Sequence, residues 1–268
     1  MTALFSDVIF GPVRSRRLGL SLGVNLLPLD SKLCNFNCIY CECGWNGAGG
    51  RNADGGLSVE NTPARFNSRA DVRRLLEEKL RAMASAGECP DVITFAGNGE
   101  PTTHPEFEAV IDDTIALRDR VCPTARVSVL SNATMIGRES VRRALERVDN
   151  NILKLDSAFD DTVRLINGSQ GAYSVAGVVE NMRRFEGRLT VQTMFLRGEY
   201  DGHRVDNTTE REVAAWLELV RQIAPRSVMI YTIDRDTPAP DLEKVSTAEL
   251  RAIADRVEAL GIAVSVAG

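Results

Sequence analysis

Short apolar runs alternate with amphipathic segments along most of the chain. The apolar runs have the length of buried β-strands, and they cover residues 21–28, 91–97, 125–132, 151–157, 188–196, 226–234 and 262–267. The segments with helical spacing of apolar residues cover residues 68–87, 104–121, 138–148, 160–167, 173–187, 209–224 and 246–261. This alternation is typical of a parallel sheet with right-handed crossovers. It predicts an α/β fold, either a partial (β/α)6 TIM-like barrel of parallel strands or an open doubly wound sheet.

The composition is that of one ordinary globular domain. The chain has 268 residues, of which 44% are hydrophobic and 26% charged, so we expect a single domain over residues 1–268 with an amino-terminal extension at 1–20. It contains no run of about 18 apolar residues, and its first residues lack the order of a secretion signal. These features predict a cytoplasmic protein without a membrane span. In that compartment, Cys89 and Cys122 are expected to be unpaired buried thiols.

Unusual polar residues fall where the predicted strands end. A cysteine-rich loop follows the first strand, GNGEPT the second, SNAT the third and DSAFD the fourth. In parallel α/β architectures the chemistry collects at the carboxyl ends of the strands. We therefore expect these four segments to build one site.

The sequence SKLCNFNCIYCEC holds four of the six cysteines. Where thiols stay reduced, such crowding favours a metal site over disulfides. The spacing Cys34-x3-Cys38-x2-Cys41 offers three soft thiolates, enough to hold three of the four irons of a cubic iron–sulfur cluster and leave the fourth open to a ligand. A closed zinc site with Cys43 as fourth ligand is the alternative.

The motif CNFNCIYC, on a loop after the first strand of a repeating strand–helix chain, resembles the radical S-adenosylmethionine superfamily. The resemblance implies a six-unit partial barrel, with a 4Fe-4S cluster on Cys34, Cys38 and Cys41. It also implies that S-adenosylmethionine chelates the open iron through its amino and carboxylate groups. An electron from the reduced cluster then breaks a sulfonium carbon–sulfur bond, giving methionine and a 5′-deoxyadenosyl radical that removes hydrogen from a substrate.

The resemblance extends to two further strand ends. GNGEP resembles the family's Gly-Gly-Glu segment, which binds the methionyl ammonium, and this implies cofactor binding by Asn98, Gly99 and Glu100. A tight turn before a helix is the alternative. Ser131 and Asn132 lie where the family binds the ribose or the carboxylate of the cofactor. A polar turn at the end of a strand explains the sequence SNAT equally well.

Strand periodicity places Lys154 and Asp156 on one face of a buried strand, where charges are costly unless they face a wet cavity or pair with each other. We interpret them as catalytic residues in a barrel interior, with Asp156 also a ligand for the ribose or the substrate; a structural ion pair is the alternative. Gln192 is a second predicted polar ligand inside the barrel. By resemblance, Tyr40 lies against adenine.

Two segments lie outside the family core. FGPVRSRRLGLSLGVN, together with GNGEPTTHPEF, resembles bacterial iron–sulfur oxidoreductases grouped loosely with the wyosine-forming enzymes. In it, Arg14, Arg16 and Arg17 form either a phosphate, carboxylate or RNA site or a solvated basic face. The polar segment 197–207 is predicted to be a lid loop, with an ordinary surface loop as the alternative.

The sequence thus predicts a radical S-adenosylmethionine enzyme that receives electrons from a reductant such as flavodoxin or ferredoxin. Its substrate is unidentified and is a small metabolite, a peptide or protein, or RNA. The net charge of −5 argues against extensive nucleic-acid binding, so RNA is open but not favoured. A non-catalytic iron–sulfur electron-transfer or zinc-binding module is the alternative function.

Overall fold

The computed structural model describes residues 4–15, 19–46, 66–169 and 172–268. Arg16, Arg17 and most of the Gly-rich segment after the cysteine loop lie outside these residues. The strands are β1 Ile9–Ser15, β2 Gly19–Val24, β3 Val92–Phe95, β4 Arg126–Ser131, β5 Asn150–Lys154, β6 Thr190–Met194, β7 Leu196–Tyr200, β8 His203–Asp206, β9 Ser227–Tyr231, β10 Leu242–Lys244 and β11 Ala263–Ala267. The helices are α1 Arg69–Ser85, α2 Phe107–Val121, α3 Glu139–Arg147, α4 Asp160–Asn167, α5 Val175–Arg183, α6 Glu210–Ile223 and α7 Thr247–Glu258, with a short 3-10 helix at Pro101–Thr103.

The main sheet has eight strands in the order β1-β2-β3-β4-β5-β6-β9-β11. Strands β2 to β11 of this sheet pair in parallel, each with its neighbour in that order. Each of the seven predicted strands and seven predicted helices is present, with ends shifted by a few residues. The predicted α/β fold with a partial barrel of parallel strands is therefore confirmed. Among the described residues, no helix is long and apolar enough to cross a membrane.

Residues of the parallel strands alternate between two environments. Leu22 and Val24 of β2 belong to the apolar core that the helices cover. Ser21 and Gly23, on the other face, line a chamber inside the barrel. Small and polar side chains on that inner face leave space where a typical barrel is filled by branched apolar residues.

The amino-terminal extension contains a strand that the sequence did not predict. Strand β1 pairs antiparallel with β2, with a register shift between Phe10 and Val13. Gly11 and Pro12 weaken a strand pattern, so the segment resembled an irregular extension. An edge strand accommodates proline because one side of its backbone needs no partner in the sheet.

The predicted loop at 197–207 is instead largely a β-hairpin. Strands β7 and β8 pair antiparallel, and β10 pairs with the other side of β7. Asp201 and Gly202, both with positive φ, form the two-residue connection for which Asp-Gly is a strong signal. That signal was missed because the flanking strands are short and polar. The predicted role as a lid stays a prediction.

The expectation of two unpaired thiols at Cys89 and Cys122 is wrong, because the two residues form a disulfide. Cys89 follows α1 and Cys122 ends α2, and these helices pack side by side. The pairing depends on tertiary packing between residues 33 positions apart, and the spacing of the two cysteines alone does not indicate it.

Candidate active site

The cysteine loop lies over the carboxyl ends of β2, β3 and β5, where neighbouring segments hold its backbone. Leu33 N–H donates to the Asn98 carbonyl at 2.8 Å, and Glu100 N–H donates to the Leu33 carbonyl at 3.1 Å. On another side, Asn37 N–H donates to the carbonyl of Asn167 at 2.8 Å. These bonds come from separate strand–helix connections, so the position of the loop is fixed by the folded barrel.

Within the loop, the buried Asn46 side chain holds the turn that carries the cysteines. Its amide nitrogen donates to the Cys34 carbonyl at 2.9 Å and to the Phe36 carbonyl at 3.2 Å, and its backbone N–H donates to Asn37 Oδ1 at 2.9 Å. A second turn follows, in which Gly44 N–H donates to the Cys41 carbonyl at 2.9 Å.

Cys34, Cys38 and Cys41 all line one cavity of about 240 Å³ at this edge of the barrel. None of them forms a disulfide. Among the described residues, no three His, Cys, Asp or Glu side chains have the spacing of a single-ion site. An iron–sulfur cluster instead binds each thiolate to a different iron. Three free thiols facing one cavity are the donor set that such a cluster requires.

The sulfur atoms of two cysteines receive N–H donors. Phe36 N–H is 3.4 Å from Cys34 Sγ, and the Asn132 amide nitrogen is 3.6 Å from the same atom. The Asn167 amide nitrogen is 3.4 Å from Cys38 Sγ. Donors placed in this way stabilise negative charge on sulfur.

Cys41 differs from the other two thiols in its charge environment. A hydrogen bond from Cys43, assisted by the Lys32 ammonium, lowers the pKa of Cys41 to about 5 against the opposing effect of burial. The Cys43 thiol also lies 3.3 Å from the Gly97 carbonyl, so its single proton has two alternative acceptors. Burial raises the pKa of the Cys34 thiol.

Lys32 is a buried lysine that the sequence reasoning did not single out. Its side chain lines the cavity, and its ammonium donates to the Gly44 carbonyl at 2.8 Å. Burial alone would lower the pKa of Lys32, but the negative charges of Cys41, Cys34 and Cys38 raise it above its ordinary value.

Gly99, Glu100, Ser131 and Asn132 line the same cavity. Gly99 has φ +137°, and a Cβ there would lie 1.8 Å from the Leu33 carbonyl oxygen, so only glycine permits the close approach of the cysteine loop. Both Glu100 carboxylate oxygens accept hydrogen bonds, one from Thr102 and the other from Asn132 N–H at 2.6 Å.

Burial raises the pKa of the Glu100 carboxyl, although hydrogen bonds from its neighbours oppose the rise. Ser131 Oγ accepts from Ala133 N–H at 3.0 Å. The Asn132 side chain donates to Asn35 Oδ1 at 2.7 Å, which ties the end of β4 to the cysteine loop.

Asn98 does not line the cavity, and its side chain is completely buried. The amide accepts from Phe5 N–H at 2.8 Å and donates to the carbonyls of Phe5 and Pro28 at 2.9 and 2.8 Å. The structure therefore places Asn98 as the link between the amino-terminal segment and the cysteine loop.

Tyr40 and Lys154 line the cavity, whereas Asp156 lies behind them. The Asp156 carboxylate accepts from the Tyr40 hydroxyl, from the Asn167 amide at 2.7 Å and from Met194 N–H at 2.9 Å. It lies 3.7 Å from Lys154 Nζ. The structure thus brings the two predicted catalytic residues together as a buried ion pair, which presents Lys154 to the cavity.

Lys154 is held by aromatic groups as well as by its carboxylate. Its ammonium donates to the Tyr231 hydroxyl at 2.9 Å and lies 5.1 Å from the centre of the Tyr40 ring. Burial would lower the pKa of Lys154, but the carboxylate of Asp156 and then the neighbouring Tyr231 raise it above its ordinary value.

A second chamber, of about 540 Å³, lies inside the barrel next to the first cavity. Gln192 of β6 belongs to the walls of both, as do Tyr40 and Tyr231. Gln192 is 7% exposed, and its amide makes no hydrogen bond within the described part of the chain. A buried amide without a partner at this boundary is available to a bound molecule.

Asn167, Asn46 and Lys32 are the site residues that sequence reasoning missed. Asn167 ends α4 just before Gly168, which adopts the left-handed conformation of a helix terminus. In the sequence these two residues are typical of an ordinary helix C-terminus. Lys32 lies two residues before the first cysteine, and its position in the loop was the only signal available. Contacts across the fold, such as Asn167 to Cys38, leave no local pattern.

The sequence of the chain is similar to one family model and to several known proteins. The family model of the Radical SAM superfamily matches residues 30–211. A UPF0026 protein from Synechocystis sp. is 31% identical over 234 residues, covering 86% of this chain and 77% of that protein. A UPF0026 protein from Methanocaldococcus jannaschii is 28% identical over 232 residues, covering 84% of this chain and 63% of that protein.

A protein named GTPase Obg from Brachyspira hyodysenteriae is 28% identical over 246 residues, and the chain spans 90% of its own length but only 32% of that protein. Among solved structures, a radical SAM methyltransferase from Sphaerobacter thermophilus superposes with a TM-score of 0.65 at 16% identity, over 92% of this chain and 65% of that one. Streptococcus suis SuiB bound to S-adenosylmethionine superposes with a TM-score of 0.61 at 13% identity, over 92% of this chain and 50% of that one. At these identities the superpositions establish a shared fold.

Proposed function

Because the chain belongs to the radical S-adenosylmethionine superfamily, whose cofactors are a 4Fe-4S cluster and S-adenosylmethionine, we propose that it removes hydrogen from a substrate held inside its barrel. In this proposal Cys34, Cys38 and Cys41 hold the cluster, and S-adenosylmethionine occupies the adjoining cavity. The cluster supplies the electron that cleaves S-adenosylmethionine into methionine and a 5′-deoxyadenosyl radical. The observation that carries the proposal is that three free thiols line one cavity at the carboxyl ends of parallel strands.

The polar groups of the cavity suit the two ends of the S-adenosylmethionine methionyl group. Glu100 is an acceptor for the ammonium, and Lys154 is a cation for the carboxylate. Ser131 and Asn132 offer hydroxyl and amide groups on the same wall. Asp156 acts through Lys154 and Tyr40, which it orients, and it is therefore a positioning residue in this proposal.

The chamber beside the cavity is the proposed substrate site. Its wall is shared with the cofactor cavity through Tyr40, Gln192 and Met194, so a substrate there would lie next to the cofactor. Gln192 would donate or accept a hydrogen bond at the boundary.

The proposal extends to partners only in general terms. A low-potential reductant such as flavodoxin or ferredoxin would supply the electron, and the substrate is a small metabolite, a peptide or protein, or less favourably RNA. The chain spans from about a third to about three quarters of the length of the relatives named above. We place the protein in the cytoplasm, where the Cys89–Cys122 disulfide would be an exception to the reduced thiols of that compartment.

A structural zinc site or a simple electron carrier is the competing proposal. Cys43, whose hydrogen bond reaches Cys41, would complete four thiolates if its side chain turned towards the cavity. Metal analysis separates the zinc site from an iron–sulfur cluster, and an assay for S-adenosylmethionine cleavage separates an electron carrier from the enzyme. Anaerobic reconstitution with iron and sulfide should load about four irons per chain into the wild type and the Cys43→Ala variant, whereas Cys34→Ala, Cys38→Ala and Cys41→Ala should each lose the cluster. Equal loss from Cys43→Ala, with zinc bound by the wild type, would support the structural site instead.

A further inference from the structure

Lys32 is a buried positive charge that has no carboxylate partner in the part of the chain that the structure describes. It is 5% exposed, and no ion pair joins it to an Asp or Glu among the described residues. Its ammonium donates to a neutral group, the Gly44 carbonyl. A buried cation is normally paired or hydrogen-bonded to opposite charge, and the three cysteine thiols line the same cavity as Lys32.

The other cation that lines this cavity, Lys154, already has a carboxylate partner. Lys154 has Asp156 at 3.7 Å, and Arg235, at the rim of the neighbouring chamber, pairs with Glu42 at 2.8 Å. Lys32 differs in that it lines the cavity beside Cys34, Cys38 and Cys41, whose negative charge raises the pKa of Lys32. The charge of Lys32 is therefore directed at the metal ligands themselves.

Such a charge changes the energy of electron uptake. A cluster that gains an electron gains one negative charge, and a fixed cation nearby stabilises the reduced form more than the oxidised form. Burial strengthens this effect because little water screens the charge. Hydrogen bonds to the sulfurs and local charge are the protein's general means of setting a cluster potential.

We propose that Lys32 sets the reduction potential of the cluster by raising it, so that a cellular reductant can load the electron. This inference rests on the proposed cluster at Cys34, Cys38 and Cys41. The step is one-electron: the oxidised cluster accepts an electron from an external reductant, and no bond or proton is exchanged. Asn167 and Asn132 act in the same direction as neutral donors. Lys154 adds a second positive charge near Cys38, but its ammonium is paired with Asp156, whereas no ion pair with a carboxylate is found for Lys32 among the described residues.

The test is an anaerobic redox titration of the reconstituted full chain, followed by the electron paramagnetic resonance signal of the reduced cluster. Lys32→Gln keeps N–H donors but removes the charge, and Lys32→Arg keeps the charge. Iron and sulfide content is measured in every sample. At a fixed potential, we expect Lys32→Gln to lower the ratio of reduced to oxidised cluster about tenfold, a shift of about 59 mV for one electron, while Lys32→Arg stays close to the wild type.

A structural role for Lys32 would change the iron content and leave the potential of the loaded fraction unchanged, and that result overturns the inference. Lys32→Met is a second uncharged variant of similar length, and it is expected to shift the potential in the same direction. If the wild type itself assembles no cluster, the proposed function fails. If the wild-type cluster forms and the uncharged variants share its potential, only the role of Lys32 fails.

Discussion

Asp156 illustrates how a single buried residue organises the site. Its carboxylate is fully buried and joins Lys154, Tyr40 and Asn167. Strand periodicity correctly placed Lys154 and Asp156 together, because residues two apart on a strand share a face. It could not separate a direct ligand from a supporting residue, since that depends on Asn167 and Tyr40 arriving from distant segments.

Replacing Asp156 with Asn should destabilise the protein strongly. The change leaves Lys154 as a buried charge without its counter-ion, and breaking a buried pair in this way costs about 3–5 kcal/mol. Urea unfolding measures the change in the free energy of unfolding.

The control is the double variant Lys154→Met with Asp156→Asn. It removes both charges, so its loss of stability should be smaller than that of Asp156→Asn alone. A double variant that is less stable than the single one would contradict the pairing of these side chains.

Asn151 is a residue whose removal should improve stability. It is 2% exposed, and within the described residues neither polar atom of its amide finds a hydrogen-bond partner. An unsatisfied buried group costs about 1–3 kcal/mol, so Asn151→Leu, of similar shape, should raise the melting temperature by roughly 2–4 °C for each kcal/mol recovered.

The adjacent Asn150 provides a matched comparison for Asn151. Its amide donates to Ser128 Oγ at 2.7 Å and accepts from Arg226 at 3.0 Å. Asn150→Leu loses both bonds and should lower the melting temperature. Equal effects of the two substitutions in calorimetry would rule out the explanation based on hydrogen bonding.

At the scale of elements, the regular strands and helices followed from the pattern of apolar residues. The strands that were not predicted are the edge strand β1, which contains Gly11 and Pro12, and the short, mostly polar strands β7, β8 and β10. Such strands depend largely on pairing with a neighbouring strand. Their formation depends on an existing sheet edge, which a local pattern does not reveal.

The contact between α7 and the β7–β8 hairpin predicts a pH dependence. Glu249 caps α7 through Ser246 and pairs with Arg197 of β7 at 2.7 Å. The hydrogen bond from Ser246, followed by that from Arg197, lowers the pKa of Glu249 to about 2. A carboxyl whose folded pKa is depressed stabilises the fold above its ordinary pKa of 4.5, and this contribution is lost as the pH falls towards 2.

Glu249→Gln should therefore lower the melting temperature at pH 7, and the difference from the wild type should shrink between about pH 4.5 and pH 2. Thermal melts followed by circular dichroism across this range test the expectation. Glu180→Gln, at an exposed carboxylate of α5 without an ion pair among the described residues, should leave the curve unchanged. A difference for Glu249→Gln that is constant with pH would contradict the argument.

At the scale of the whole molecule, the barrel places a thiol-lined cavity next to a hollow interior. The sequence predicted the thiol-lined cavity, because the cysteine spacing and the strand ends are local features. The size of the hollow interior could not be predicted, since it depends on many small inward-facing residues such as Ser21, Gly23 and Thr94. Gln192 was anticipated from its strand face, and the structure adds that it lies between the two spaces.

The measurement that tests the central claim most directly is the formation of 5′-deoxyadenosine. The full chain is reconstituted anaerobically with iron and sulfide, reduced with dithionite and mixed with S-adenosylmethionine, and the products are separated by chromatography. We expect methionine and 5′-deoxyadenosine in equal amounts from the wild type and none from Cys38→Ala. An intact and reducible wild-type cluster that cleaves no S-adenosylmethionine would contradict the proposed reaction.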